Sequence, residues 1–196
     1  LLDLQTGEVK SKELIDSKEI ILAGEKDRIF YLIGDSEESP IEVGMVDPKS
    51  LNLQPLFTLK REELEAHEIE ETANFLAIEP HGTRLALMGK GSGTKDFILL
   101  YSDKGLQTVF APNIPADSYE LMGLTWAQDG KTIYAEVLTP TPNEHKVQLS
   151  VAEIPLDGRL AKLTPLYQAD IDFRDQDVGG IPLSLSPDGK HIARSE

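Results

Sequence analysis

The sequence predicts an all-β protein built from repeated units of four antiparallel strands. Three segments share one pattern, in which an apolar strand leads into a glycine-containing turn and a second apolar strand follows: LAIEPHGTRLALMG, LTWAQDGKTIYAEV and LSLSPDGKHIARSE. A fourth, degenerate copy is EIILAGEKDRIFYLIGD. No window of a dozen residues sustains helical periodicity, and the apolar positions of 60–71 are too sparse to bury a helix face.

Each hairpin has turn chemistry that accounts for its reversal. In the last copy Pro187 presets φ, Asp188 has a side chain that bonds its own downstream backbone, and Gly189 accepts positive φ. The strands beside these turns are apolar at nearly every position, which predicts that they are packed on both faces. Trp126 is expected in this core rather than in a ligand channel.

A second strand pair follows each hairpin and completes the four-stranded unit. These pairs are LLDLQTGEVK, GMVDPKSLNLQPLF, LLYSDKGLQTVFA and VAEIPLDGRLAKLTPL. The turn glycines Gly82, Gly130 and Gly189 are separated by 48 and 59 residues. This spacing lies slightly above that of propeller repeats, as it would if connecting loops carried insertions.

The repeat therefore predicts a β-propeller of four-stranded antiparallel blades, present as a partial propeller. The expected pieces are a half blade at 1–16, full blades at 17–60, 72–111 and 121–168, and a half blade at 181–196. Two interpretations stay open: an excerpt of a six- to eight-bladed propeller, which is favoured, or a four-bladed ring closed by the two halves. Because the chain has no initiator Met, its true N-terminus is expected to lie upstream.

Composition excludes several classes of function. The chain has 196 residues, 40% of them hydrophobic and 27% charged, with a formal net charge of −15. Such a charge argues against nucleic acid and anionic lipid as partners, because both are bound through Lys and Arg. There is no Cys for disulfides or thiolate chemistry, and no apolar run reaches the roughly 18 residues of a membrane span. Basic proteins and divalent cations remain as partners.

The long loops are the expected binding surface, for a protein or a small ligand. In a propeller, the connections between second and third strands and the links between blades lie on one rim, and here those loops hold much of the excess acid. The alternative is that long exposed loops are acidic because they are solvated. The candidate binding residues are Glu62, Glu63, Glu65, Glu68, Glu70 and Glu71.

One loop is a candidate cation site. DIDFRDQDVGG concentrates four carboxylates, whose mutual repulsion Ca²⁺ or Arg174 would relieve, although the order of an EF-hand is absent. No other cofactor is expected. The candidate ligands are Asp170, Asp172, Asp175 and Asp177.

No catalytic residue is predicted. Gly89, Gly91 and Gly93 lack the spacing of a P-loop, and a strand rather than a helix follows them. His67 has no second His four residues further on, as a zinc helix requires. There is also no Gly-x-Ser-x-Gly nucleophile elbow.

The last hairpin resembles the repeat of TolB-type, WD40-like β-propellers. Ser186, Pro187, Asp188, Gly189, Lys190, Ile192 and Ala193 match that repeat. The second copy matches at Trp126, Asp129, Gly130, Lys131 and Ile133 but departs at Ala127 and Gln128. In the first copy only Pro80, Gly82 and flanking apolar residues remain. The resemblance covers nearly the whole chain and is a signature of fold, without catalytic residues.

The resemblance implies a non-catalytic binding scaffold in the bacterial envelope, periplasmic or extracellular. The alternative is an accessory propeller that gates a prolyl-oligopeptidase-type serine peptidase whose catalytic domain lies outside this segment. A propeller lyase or hydrolase that uses a cation held by acidic loops is a third and weaker hypothesis. The reading frame beyond Glu196 discriminates the first two, since the peptidase requires a nucleophile elbow followed by Asp and His.

Overall fold

The chain divides into two compact units, Leu1–Ala66 and His67–Glu196, which are described separately. The structure is a computed structural model, and it describes residues 20–25, 28–33, 40–80, 84–91, 95–102, 104–143, 145–170, 183–185 and 191–194. The predicted half blade at 1–16 lies outside these residues, and so does the turn at 186–190.

The first unit contains one antiparallel sheet, called here the first sheet. Its strands follow one another in chain order and each pairs with the next. They are β1 (Ile20–Glu25), β2 (Arg28–Ile33), β3 (Ile41–Val46) and β4 (Leu53–Leu59). A short helix, α1 (Arg61–Glu65), comes after β4 and buries only Leu64.

A tyrosine and a glycine fit together at the centre of the first sheet. Tyr31 is fully buried, its hydroxyl donates a hydrogen bond to Glu42 Oε1 at 2.7 Å, and it lies opposite Gly44 on β3. A Cβ added at Gly44 would lie 2.5 Å from both the Tyr31 ring and the Gln54 carbonyl oxygen. The absence of a side chain at Gly44 therefore makes the room that the tyrosine ring occupies.

The second unit contains two further four-stranded sheets and a two-stranded one. The second sheet is β5 (Ile69–Ile78), β6 (Leu85–Gly91), β7 (Phe97–Ser102) and β8 (Gly105–Phe110). The third sheet is β9 (Glu120–Trp126), β10 (Thr132–Pro140), β11 (Lys146–Pro155) and β12 (Lys162–Asp170). The fourth sheet pairs β13 (Leu183–Leu185) with β14 (Ile192–Arg194).

The all-β prediction is confirmed, and so is the pairing of the strands within the repeated units. Each of the four predicted hairpins is an antiparallel strand pair, and three of them continue into a second pair in the same sheet. The expectation that inner strands pack on both faces is confirmed for β6, where Leu85, Ala86, Leu87 and Met88 are all buried.

The last strand of each four-stranded sheet carries one extra residue. Leu56, Gln107 and Leu166 are skipped in the pairing of β4, β8 and β12 with their neighbours. In β4 and β12 a proline precedes the extra leucine, and both leucines are about half exposed. Such bulges twist a strand, and proline has no N–H to offer, so these strands are poor templates for a further strand.

The second and third sheets stack on each other through one apolar core. Ala77, Ala86, Met88 and Ile98 of the second sheet belong to the same buried cluster as the residues of the third. The latter include Leu124, Trp126, Ile133, Ala135, Val137, Ala152 and Ile154. β9 faces β5 and β6, and β13 also approaches β9.

Trp126 adds a directional contact to this apolar stacking. It is 2% exposed, as expected for a core residue, and its indole Nε1 donates to the backbone oxygen of Ala77 at 3.0 Å. Since Ala77 lies in β5 and Trp126 in β9, this hydrogen bond joins the two sheets directly.

We expect Trp126→Phe to destabilise the chain, because it leaves the buried Ala77 carbonyl without its indole donor. The expected loss is about 1–3 kcal/mol of unfolding free energy. Urea unfolding followed by far-UV circular dichroism measures it. Tyr134→Phe is the control, since this half-buried hydroxyl makes no hydrogen bond to the described residues and its loss is expected to cost under about 0.5 kcal/mol. Equal losses for the two variants would contradict the role given to the indole.

Candidate functional site

The turn between β9 and β10 is held by its own aspartate. Asp129 Oδ1 accepts hydrogen bonds from the backbone N–H groups of Lys131 at 2.8 Å and Thr132 at 3.2 Å. Gly130 has a φ of +65°, which favours glycine. This is the chemistry predicted for Asp188 and Gly189, found here in the second copy of the repeat.

Arg84 ties this turn to the second sheet. It lies just before β6, and its Nε and Nη2 atoms donate to the carboxylate of Glu79 at 3.1 and 2.5 Å. Nη2 also donates to the backbone oxygen of Gly130, and the guanidinium lies 5.0 Å from the centre of the Trp126 ring. Arg84 is thereby fixed by contacts with both sheets.

Gly130 has a second requirement besides its backbone conformation. A Cβ at this position would lie 2.7 Å from Glu79 Oε1, in the space through which Glu79 and Arg84 reach the turn. The glycine of the repeat motif therefore allows both the turn and the contact between sheets.

The turn between β11 and β12 completes a pocket beside Arg84. Asp157 accepts hydrogen bonds from the Nε and the backbone N–H of Arg159, which hold the pKa of the Asp157 carboxyl below its ordinary value. The backbone N–H of Leu156 donates to the Lys131 oxygen at 2.9 Å and joins the two turns. The pocket has a volume of about 300 Å³ and is lined by Arg84, Asp129, Lys131, Thr132, Leu156, Asp157 and Arg159.

A buried carboxyl joins the second and third sheets near the β6–β7 connection. Asp96 is 6% exposed, and its Oδ2 accepts a hydrogen bond from the backbone N–H of Leu121 at 2.6 Å. Burial raises the pKa of Asp96 to about 6, Glu120 adds to the effect, and the Leu121 hydrogen bond and Lys90 oppose it.

Tyr119 packs into the same corner. Its hydroxyl lies within hydrogen-bonding distance of the backbone oxygens of Asp96 (3.2 Å) and Pro112 (3.1 Å). Burial, and then Asp96, raises the pKa of Tyr119 to about 12. Lys95 pairs with Tyr119 in a β-bridge, with its ammonium 5.8 Å from the ring centre. Lys95 and Asp96 of the β6–β7 connection thus meet the link between β8 and β9.

The predicted acidic binding residues fall on both sides of the boundary between the units. Glu62, Glu63 and Glu65 lie on α1 and are exposed, and Glu68 is exposed with a φ of +58°. Glu63 accepts a hydrogen bond from the Lys60 N–H at 2.9 Å, and Glu65 pairs with Arg61 at 2.9 Å. Glu70 and Glu71 lie on strand β5, so the expectation that they belong to a loop is wrong.

The predicted cation site is described at only one of its positions. Asp170 is the exposed last residue of β12, whereas Asp172, Asp175 and Asp177 lie outside the described residues. In the part of the chain that the structure describes, no three His, Asp or Glu side chains come together as a metal site would require. His67 and His145 are exposed.

The pocket residues were not predicted, although the sequence contains a signal for them. A basic residue directly follows the turn glycine at Gly130, Gly158 and Gly189, and Arg84 comes two positions after Gly82. A propeller places the turns within strand pairs together on the rim opposite the long loops, but binding was assigned to the long loops, so no role was predicted for these basic residues.

A scan against models of protein families finds no match, and neither does a search of curated proteins.

Among the described residues, no helix has both the length and the apolar character needed to cross a membrane.

We expect the Asp96 carboxyl to make stability depend on pH. Because its pKa in the folded chain, about 6, exceeds its ordinary value of 3.8, the folded state binds the proton more tightly than the unfolded state. The stability that Asp96 contributes is therefore fully present below the ordinary pKa and is lost as pH rises through about 6.

Urea unfolding of the wild type and of Asp96→Asn across this range measures the effect. The wild type is expected to gain stability relative to the variant as pH falls from 7 towards 4. Asp157→Asn is the control, since the pKa of that exposed carboxyl is lowered and its contribution is lost only below its ordinary value. A difference between wild type and Asp96→Asn that stays constant with pH would contradict the assignment.

Proposed function

We propose that the chain is a segment of a TolB-type β-propeller that acts as a non-catalytic scaffold and binds a protein or a small ligand through its loops. The observation that carries the proposal is the repetition of one four-stranded antiparallel meander in three sheets, with two of them stacked face to face. Stacked meanders of this kind are the unit from which propellers are built.

The residues that define the repeat have structural tasks, which leaves binding to the loops. Trp126 fills the core, Asp129 holds its own turn, and Gly130 admits both the turn and Glu79. A rigid framework that presents variable loops is a common arrangement for recognition. The resemblance to TolB-type repeats is also the basis for proposing a periplasmic or extracellular location.

A basic partner is the one that the loop charges favour. The chain has a net charge of −15, and α1 exposes Glu62, Glu63 and Glu65 while it buries Leu64. An acidic surface attracts cationic partners over a Debye length and raises their rate of encounter. The interaction is therefore expected to weaken as salt is added.

Binding of a fluorescein-labelled oligolysine peptide, followed by fluorescence anisotropy, tests this proposal. We expect binding that is much tighter at about 50 mM than at about 300 mM NaCl, because the Debye length shortens with ionic strength. Glu62→Lys is expected to weaken binding several-fold, since Glu62 is exposed on α1.

Glu153→Lys is the matched control, because it makes the same charge change at an exposed position of β11. We expect it to weaken binding clearly less than Glu62→Lys does. Equal effects of the two variants would mean that only the net charge matters, and the assignment of the binding surface to the acidic loops would be wrong.

A further inference from the structure

We propose that the pocket between the β9–β10 and β11–β12 turns binds a small oxyanion, the carboxylate or phosphate group of a ligand. This site is separate from the acidic residues considered above and does not depend on a basic partner. It lies wholly within the second unit, where Arg84, Lys131 and Arg159 line it.

Arg84 supplies donors from a fixed position. Its Nε and Nη2 atoms are engaged by Glu79 and by the Gly130 oxygen, whereas its Nη1 makes no hydrogen bond to any residue that the structure describes. A guanidinium held on one side offers its remaining N–H groups without further loss of side-chain freedom. Because the side chain is already ordered, less free energy is lost when a ligand binds, which favours even a weakly held ligand.

Lys131 and Arg159 add further donors. Within the described part of the chain, Arg159 uses only its backbone N–H and Nε, both towards Asp157, so both of its terminal nitrogens remain unengaged. The ammonium of Lys131 makes no ion pair with the described residues, and the side chain is exposed. Three cationic side chains therefore bring unused donors to one pocket.

The acceptors that line the pocket are already engaged by their own turns. Asp129 accepts from the backbone of Lys131 and Thr132, and its second oxygen lies 3.4 Å from the Thr132 hydroxyl. Asp157 accepts from Arg159. The pocket thus has more free donors than free acceptors, which is the complement of an oxyanion.

Charge and size agree with a small, weakly held ligand. Three cationic side chains and two carboxylates line the pocket, and Glu79, which pairs with Arg84, is a third carboxylate beside it. The chain as a whole has a net charge of −15. These three cations and three carboxylates carry no net charge together, although the chain as a whole is acidic. A volume of about 300 Å³ lies at the lower end of the range for ligand pockets. We therefore expect a dissociation constant in the millimolar range.

Titration of the ¹⁵N-labelled chain with sodium phosphate, and separately with sodium acetate, tests the proposal. NaCl holds the ionic strength constant, and amide shifts are followed by NMR. We expect saturable shifts at Thr132 and Arg159 with at least one of the two anions. Saturation with phosphate alone identifies a phosphate site, saturation with acetate alone a carboxylate site, and saturation with both a general oxyanion site.

Variants distinguish binding at this pocket from a general attraction of anions to exposed lysine side chains. Either Lys131→Gln or Arg159→Gln is expected to weaken binding about threefold and the double variant about tenfold, as for partly exposed ion pairs. Lys131→Arg should retain binding. Lys104→Gln should not affect it, because Lys104 is also exposed but lies in the β7–β8 turn and does not line the pocket. Shifts that fail to saturate with either anion, or that persist unchanged in the double variant, would overturn the proposal.

Discussion

In the second unit, polar contacts at both ends of one apolar interface fix the arrangement of the second and third sheets. Near the β9–β10 turn, Arg84 bonds Glu79 and the Gly130 oxygen and lies over Trp126, whose indole bonds Ala77. At the β6–β7 connection, the Asp96 carboxyl accepts the Leu121 N–H. The apolar core between these contacts favours burial without fixing direction, since hydrophobic attraction is non-directional. The hydrogen bonds specify how the second and third sheets meet.

The same contacts place the candidate pocket. Arg84 donates a hydrogen bond to the Gly130 oxygen, and the Leu156 N–H donates to the Lys131 oxygen and joins the β11–β12 turn to the β9–β10 turn. These hydrogen bonds hold in place the backbone that carries the cations of the pocket. Turns alone are mobile elements, and loops that carry function are usually positioned by a rigid scaffold. In this unit the interface between sheets supplies that scaffold. Stability and the geometry of the pocket therefore depend on one set of residues.

Local chemistry was predictable from the sequence, and contacts between distant segments were not. The Asp129 and Gly130 turn, the burial of Trp126 and the strand pairs all follow from residues a few positions apart. The meeting of Arg84 with Gly130 spans 46 residues, and no local pattern encodes it. Likewise, in the sequence Asp96 is only a polar residue before a strand, and its burial against Leu121 becomes visible in the fold alone. Of the predicted site residues, those on α1 are exposed as expected, while three of the four carboxylates of the cation loop lie outside the described residues.

The most direct test of the central claim is a double-mutant cycle between Arg84, which directly precedes β6 of the second sheet, and Trp126 of the third sheet. Arg84→Met, Trp126→Leu and the combined variant would be unfolded in urea, and the cycle cancels the cost of leaving Glu79 without its partner. If the two side chains couple the sheets, the interaction free energy should be about 0.5–2 kcal/mol. Losses that add to within about 0.3 kcal/mol would contradict the account, because residues without a shared contact behave in that way.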